Sequence, residues 1–121
     1  MSTLLSKFAR KKAAEPLDEP IAFDQETFSR PGQNGFTARW ADIRRIVGYK
    51  IDLLTVDEIR VDFELKTNVT VIVTEESPGF GAFMSEVERR FPSVEGWFAK
   101  IAQPPFAPVN AVLYQAEAYD S

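Results

Sequence analysis

The side chains available for chemistry are restricted in kind, because the 121-residue chain contains neither histidine nor cysteine. Histidine is the side chain whose ordinary pKa lies nearest neutrality, and cysteine supplies the readiest thiolate nucleophile. Ser-His-Asp triads, Cys-His pairs and the usual His/Cys zinc sites are therefore excluded. Carboxylate, lysine, tyrosine and hydroxyl chemistry remains, and we expect no cofactor.

Five carboxylates form the main candidate site: Asp52, Asp57, Glu58, Glu75 and Glu76. The hairpin described below sets residue 59 opposite residue 75, so Glu58 is expected to face Glu76, with Asp57 and Glu75 adjacent. Asp52 is close in sequence. Like charges opposite one another across strands are unfavourable, so the cluster requires a compensating interaction.

Three interpretations of this acidic cluster stay open. It can be a solvated cluster that the N-terminus of the following helix stabilises. It can be a docking patch for a basic protein partner. It can also be a hard-cation site or an acid/base pair, since Mg²⁺ and Ca²⁺ prefer oxygen ligands, although the spacing matches no loop motif.

The elements that must position these residues centre on a hairpin from Ile59 to Thr74. Apolar and charged residues alternate strictly along its first strand, and the apolar alternation resumes after the loop 66–68. A three-residue loop pairs Phe63 with Val71 and Val61 with Val73, which leaves Ile72 as the large apolar exception. One buried and one wet face predict an antiparallel sheet with a firm register.

Further strands and two helices flank the hairpin. The segment Ile43 to Ile51 predicts a strand with Ile43, Arg45, Val47, Tyr49 and Ile51 on one face, and Gly48 within it suggests a bulge or a close backbone contact. Ser77-Pro78 predicts a helix start, with Ser77 as the N-cap, and Pro92 ends that helix. Ser93 is expected to cap a second short helix before a last strand at 111–114.

This order of elements predicts the α+β class: an antiparallel meander sheet of about five strands, two helices packed on one face and a C-terminal strand. A pleckstrin-homology-like barrel is the alternative, although two helices before the last strand depart from that arrangement. Residues 1–20 are expected to form a flexible N-terminal tail, and residues 21–116 a single domain.

The charge distribution limits the partners. Residues 1–15 carry a net charge of +3, whereas the rest of the chain carries −7. An acidic body disfavours nucleic-acid binding, which depends on phosphate neutralisation. The basic tail with Leu4, Leu5 and Phe8 makes a peripheral membrane module an alternative, but a few basic residues give only marginal anchoring. With no signal peptide and no apolar run long enough to cross a bilayer, we expect a cytoplasmic protein.

Several short stretches together resemble a group of short uncharacterised bacterial proteins. These stretches are Trp40-Ala-Asp-Ile43, Tyr49-Lys-Ile-Asp-Leu53 with Asp57, Glu75-Glu-Ser-Pro-Gly-Phe80, Trp97-Phe98 with Pro105-Phe106, and Leu113-Tyr114. The resemblance covers about residues 36–115 and implies no activity.

These observations favour a small cytosolic protein-binding or interaction domain without catalytic activity. An immunity-type inhibitor of a basic toxin fits the acidic body and the size. The alternatives are an enzyme that uses the carboxylates, with a divalent cation, and the peripheral membrane module.

Overall fold

The computed structural model describes residues 20–33, 35–52, 57–102 and 109–116. The predicted N-terminal tail, apart from Pro20, lies outside the described residues, as does the Pro105-Phe106 pair. The backbones of Asp52 and Asp57 are described and their side chains are not.

The strands form two antiparallel sheets. The first contains β1 (Ala22–Phe23), β2 (Thr27–Arg30) and β3 (Phe36–Arg39) in that order. The second contains β4 (Ile43–Asp52), β5 (Asp57–Leu65), β6 (Thr70–Thr74) and β7 (Val109–Gln115), in the spatial order β6-β5-β4-β7. The chain is therefore α+β and antiparallel, as the pattern predicts.

The finer sheet predictions need correction. A 3₁₀ turn over Trp40–Asp42 interrupts the chain between β3 and β4, so two sheets replace the expected meander of about five strands. The described strands form open sheets and no closed barrel, so the pleckstrin-homology-like alternative is wrong. The last strand, β7, does return to the large sheet, where it pairs with β4.

The hairpin register is the predicted one. Phe63 pairs with Val71 and Val61 with Val73, and Leu65 N–H donates to the Val69 carbonyl over 2.8 Å. Val61, Phe63 and Val73 are fully buried, whereas Ile72 is 45% exposed. Strict alternation on β5 thus fixed which face packs inward.

The predicted face of β4 is partly wrong. Ile43 is buried on the inner face beside Leu65, whereas Arg45 and Val47 lie on the outer face opposite Glu64 and Asp62. The pairing with β5 shifts between Ile43 and Arg45, and this irregularity reverses the alternation after Ile43.

Gly48 lies on the inner face, where its close neighbours are side chains and not the backbone that its position suggested. A Cβ at this residue would stand 3.0 Å from Leu113 Cδ1 and 3.2 Å from Ile101 Cδ1.

Two helices follow the hairpin: α1 (Phe80–Arg90) and α2 (Trp97–Ala102), with a 3₁₀ turn over Pro92–Val94 between them. The predicted N-cap is wrong by two residues, because Gly79 occupies that position with φ 80°. Ser77 is buried in the preceding turn, where its N–H donates to the Thr74 carbonyl. The helix ends before Pro92, as predicted.

The core lies between the inner face of the large sheet, the first sheet and α1. The ring of Phe28 in β2 packs at a tilt against Trp40, with centroids 4.6 Å apart, and lies 5.6 Å from Phe63 of β5. Phe83 of α1 closes the cluster at 5.5 Å from both Phe28 and Phe63. Such aromatic contacts add to the free energy of area burial, and they leave the opposite face of the large sheet outside the core.

Candidate functional site: the open face of the large sheet

The face of β4–β7 that points away from the core is here called the open face. None of its described side chains is buried, although the sheet beneath them is fully packed on its other side. Its described members are Arg45, Val47, Tyr49, Ile51, Glu58, Arg60, Asp62, Glu64, Thr70, Ile72, Thr74, Asn110, Val112 and Gln115.

A row of cross-strand neighbours, here called the apolar row, crosses the open face through all four strands, and three of its four members are apolar. The registers place Ile72 of β6 beside Asp62 of β5, Asp62 beside Val47 of β4, and Val47 beside Val112 of β7. Ile72 is 45% exposed and Val112 is 53% exposed, so both outer members of the row present apolar surface to solvent. A carboxylate therefore stands between apolar neighbours in the middle of the face.

This position explains the electrostatics of Asp62. Burial raises its pKa above the ordinary value of 3.8, while hydrogen bonding with the Tyr49 hydroxyl opposes that rise. Oδ1 of Asp62 is buried and has no hydrogen-bond partner among the described residues. Burial also raises the pKa of Tyr49, and the neighbouring negative charge of Asp62 adds to the effect.

Ion pairs lie on both sides of the apolar row. Arg45 donates to both oxygens of Glu64, over 3.1 Å from Nε and 3.0 Å from the terminal nitrogen. On the other side, Arg60 donates to Glu58 Oε1 at 2.8 Å, and this hydrogen bond raises the pKa of the Arg60 guanidinium. A depression of about 360 Å³ lies over the middle of the face, where Tyr49 and Asp62 contribute to its lining.

The backbone brings all five predicted site residues to one end of the large sheet, here called the acidic end. Asp52 and Asp57 are register partners, Ile51 pairs with Glu58, and Glu75 N–H donates to the Ile59 carbonyl over 3.0 Å. Glu76 follows directly. The acidic end consists of Asp52, Asp57, Glu58, Glu75 and Glu76. The hairpin register alone places Asp57, Glu58, Glu75 and Glu76 at this end. Asp52 joins them because it pairs with Asp57 where β4 connects to β5.

Two of these carboxylates have local partners that the sequence reasoning missed. Glu58 pairs with Arg60, two residues along the same strand, and Glu75 accepts the N–H of Ile59 through Oε1 at 2.9 Å. Strand β6 ends at Thr74, and Glu76 N–H donates to the Thr74 hydroxyl in the turn that follows. Interactions with the strands themselves therefore offset part of the clustered negative charge, in addition to any effect of the helix N-terminus.

Within the part of the chain that the structure describes, no three Asp or Glu side chains are grouped so that they could hold a metal ion. The side chains of Asp52 and Asp57 lie outside that part, so the cation interpretation of the acidic end stays a prediction.

Sequence reasoning gave no role to Tyr49, Asp62 or Val112. Ile72 was identified as the apolar exception in its strand, and this exception was the available signal for the open face. The side chain of Lys50 was missed as well: it is 3% exposed on the inner face, and its Nζ donates to the Ala102 carbonyl over 2.9 Å. Lys50 thereby ties the end of α2 to β4.

Comparison with protein-family models, curated proteins and solved structures finds no match. The resemblance over residues 36–115 therefore stays a prediction. Among the described residues, no helix is long and apolar enough to cross a membrane.

Proposed function

We propose that the protein is a non-catalytic interaction domain that binds a basic protein partner through the open face and the adjoining acidic end. The observation that carries this proposal is the apolar row, because it is exposed on a sheet whose other face is densely packed. Exposed apolar surface with a polar border is typical of protein-binding sites.

The two parts of the surface would contribute differently to recognition. Ile72 and Val112 can desolvate against an apolar patch of the partner, and Tyr49 offers a rigid aromatic ring with a polar end. The acidic end would attract a positively charged surface, which speeds association and disfavours acidic competitors. The ionised form of Asp62 is poorly solvated because its cross-strand neighbours are apolar. A positive charge on the partner would therefore stabilise the Asp62 carboxylate more than a carboxylate that water already solvates.

Among non-catalytic interaction domains, an inhibitor that covers a basic surface of another protein fits the charge of the chain. Its formal net charge is −4, and the backbone gathers five of its acidic residues at one end of the sheet that carries the open face. The proposed role requires binding alone.

The test is affinity capture from cells that produce the protein, with mass spectrometry, on pairs of matched variants. Val112→Lys places a charge on the apolar row, and Phe98→Lys places the same charge on α2 at a residue that is equally exposed (53% and 51%). Glu76→Lys reverses a charge at the acidic end, and Glu95→Lys does the same at an exposed turn elsewhere.

We expect one partner, with a basic surface, that Val112→Lys and Glu76→Lys lose and that both control variants retain. Thermal melts of all four variants check that each of them folds. If the matched controls lose the partner equally, or if no protein depends on Val112, the open face is not the binding surface. A rise in melting temperature with millimolar Mg²⁺ or Ca²⁺ that Glu76→Lys removes would favour the cation site instead.

A further inference from the structure

Strand β6 is an edge of the large sheet. Its strand partner among the described residues is β5, and its other side faces no strand of the described part of the chain. Edge strands expose unpaired backbone groups and commonly pair with another chain unless the sequence prevents it.

The usual protections of an edge are missing from β6. Its sequence, Thr70-Val-Ile-Val-Thr74, contains no charge and no proline, and every residue is β-branched. Val69, which precedes it, is 51% exposed. The β5–β6 pairing has no register shift, whereas the pairing of β7, the opposite edge, with β4 shifts between Ile46 and Val47. β6 is therefore regular, uncharged and favourable for pairing.

The register identifies which backbone groups face outward. Leu65 N–H donates to Val69, and Glu75 N–H donates to Ile59, so the odd-numbered residues of this strand bond to β5. In an antiparallel ladder the alternate residues point the other way. The N–H and C=O groups of Thr70, Ile72 and Thr74 thus face the edge, although the Thr74 carbonyl already accepts from Ser77 N–H.

The strand reads the same in both directions: Thr-Val-Ile-Val-Thr. We propose that β6 pairs with β6 of a second copy of the chain, antiparallel, about a two-fold axis through Ile72. Each Ile72 then opposes the other Ile72 on the open face, and Val71 opposes Val73 of the second copy on the inner face. Such an interface is self-complementary, as a two-fold dimer requires.

The paired edges form four hydrogen bonds between backbone groups that make no other hydrogen bond in the described structure. Each Ile72 N–H donates to the Ile72 carbonyl of the other copy, and each Thr74 N–H donates to the Thr70 carbonyl of the other copy. The remaining two bonds, from Thr70 N–H to Thr74, would share a carbonyl with Ser77. The product is a continuous eight-stranded sheet whose two open faces join side by side.

The charges at the two ends of β6 favour this antiparallel orientation. Lys66 lies before the strand and Glu75 and Glu76 lie after it, and all three residues are exposed. A two-fold axis through Ile72 brings Lys66 of each copy towards Glu76 of the other, as a diagonal neighbour across the new pairing. Opposite charges across paired strands are favourable, and a parallel pairing would set glutamates beside glutamates.

The first test is the monomer–dimer equilibrium of the full chain, measured by sedimentation equilibrium. We expect a dimer for the wild-type protein. Ile72→Lys sets two positive charges opposite each other at the axis and should weaken the dimer at least about tenfold, a loss of about 1.4 kcal/mol. Val112→Lys changes another exposed apolar residue, on the other edge strand, and should leave the dimer unchanged.

A charge exchange tests the orientation. Lys66→Glu and Glu76→Lys should each weaken the dimer by about threefold to tenfold, and the double variant should restore it. In the wild type, amide exchange at Thr70 and Ile72 should slow as protein concentration rises.

A wild-type protein that stays monomeric at the highest concentration measured overturns the proposal. Equal effects of Ile72→Lys and Val112→Lys, or a double variant weaker than both single ones, overturn the two-fold register. Protection of Thr70 and Ile72 in a protein that sediments as a monomer would mean that the chain covers its own edge. Val112→Lys separates this proposal from the proposed function, because it should lose the captured partner and keep the dimer.

Discussion

At the scale of single residues, the position of Asp62 is the least expected from the sequence. The alternation along β5 predicts a solvated carboxylate, and the structure agrees that it points away from the core. The sequence does not reveal that its cross-strand neighbours are Ile72 and Val47. Only the register of both neighbouring strands shows that the carboxylate lies in an apolar row, which explains its raised pKa.

Asp62→Asn should stabilise the protein at pH 7 by about 0.5–1 kcal/mol, since the amide needs no ion solvation and can still accept from Tyr49. The folded state raises the pKa of Asp62, so it binds the proton more tightly than the unfolded state does. Above the folded pKa, the ionised carboxylate therefore destabilises the folded state. This destabilisation decreases as pH falls through the folded pKa and is absent below 3.8, the ordinary pKa, where both states are protonated. Urea unfolding of both proteins between pH 3 and pH 7 measures the difference.

Glu64→Gln is the matched control for that prediction. Glu64 lies two residues along the same strand but forms the two-point ion pair with Arg45. Its neutralisation should lower stability at pH 7 by up to about 1 kcal/mol. Equal gains in stability from both variants would show that general charge reduction, and not the apolar row, explains the effect at Asp62.

At the scale of elements, hydrophobic periodicity predicted the hairpin register and the extent of α1 well, because both follow from one buried face. The same periodicity did not predict the positions where the backbone leaves the regular strand pattern. The pairing with β5 shifts after Ile43, and a 3₁₀ turn occupies Trp40–Asp42, and no hydrophobic period in the sequence marks either feature. Ser77-Pro78 is a strong capping signal, but Ser77 is used in the turn after β6, so the helix begins after Gly79.

The start of α1 gives an element-scale prediction. Gly79 has φ 80°, a conformation that side chains disfavour, so Gly79→Ala should lower stability by about 1–2 kcal/mol. Gly81 is the second residue of α1, and a Cβ there meets nothing within 4 Å. Gly81→Ala should therefore raise stability by about 0.5–1 kcal/mol through helix propensity. Thermal or urea melts decide this, and a loss at Gly81 equal to that at Gly79 would place the helix start elsewhere.

At the scale of the whole molecule, the two faces of the large sheet have different roles. The inner face holds the aromatic core with the first sheet and α1, whereas the open face combines an apolar row, ion pairs and an acidic end. The acidic end could be anticipated from one hairpin register. The apolar row could not, because it joins residues from four strands whose order depends on the return of β7 to β4.

The most direct test of the open face as a binding surface is carboxylate footprinting of the captured complex against the free protein at the same concentration. We predict that labelling of Glu76 and Glu58 falls in the complex, because both adjoin the proposed surface, and that labelling of the exposed Glu95 does not change. Unchanged labelling of Glu76 and Glu58 in the complex would contradict the account, and protection of Glu95 would place the binding site elsewhere on the molecule.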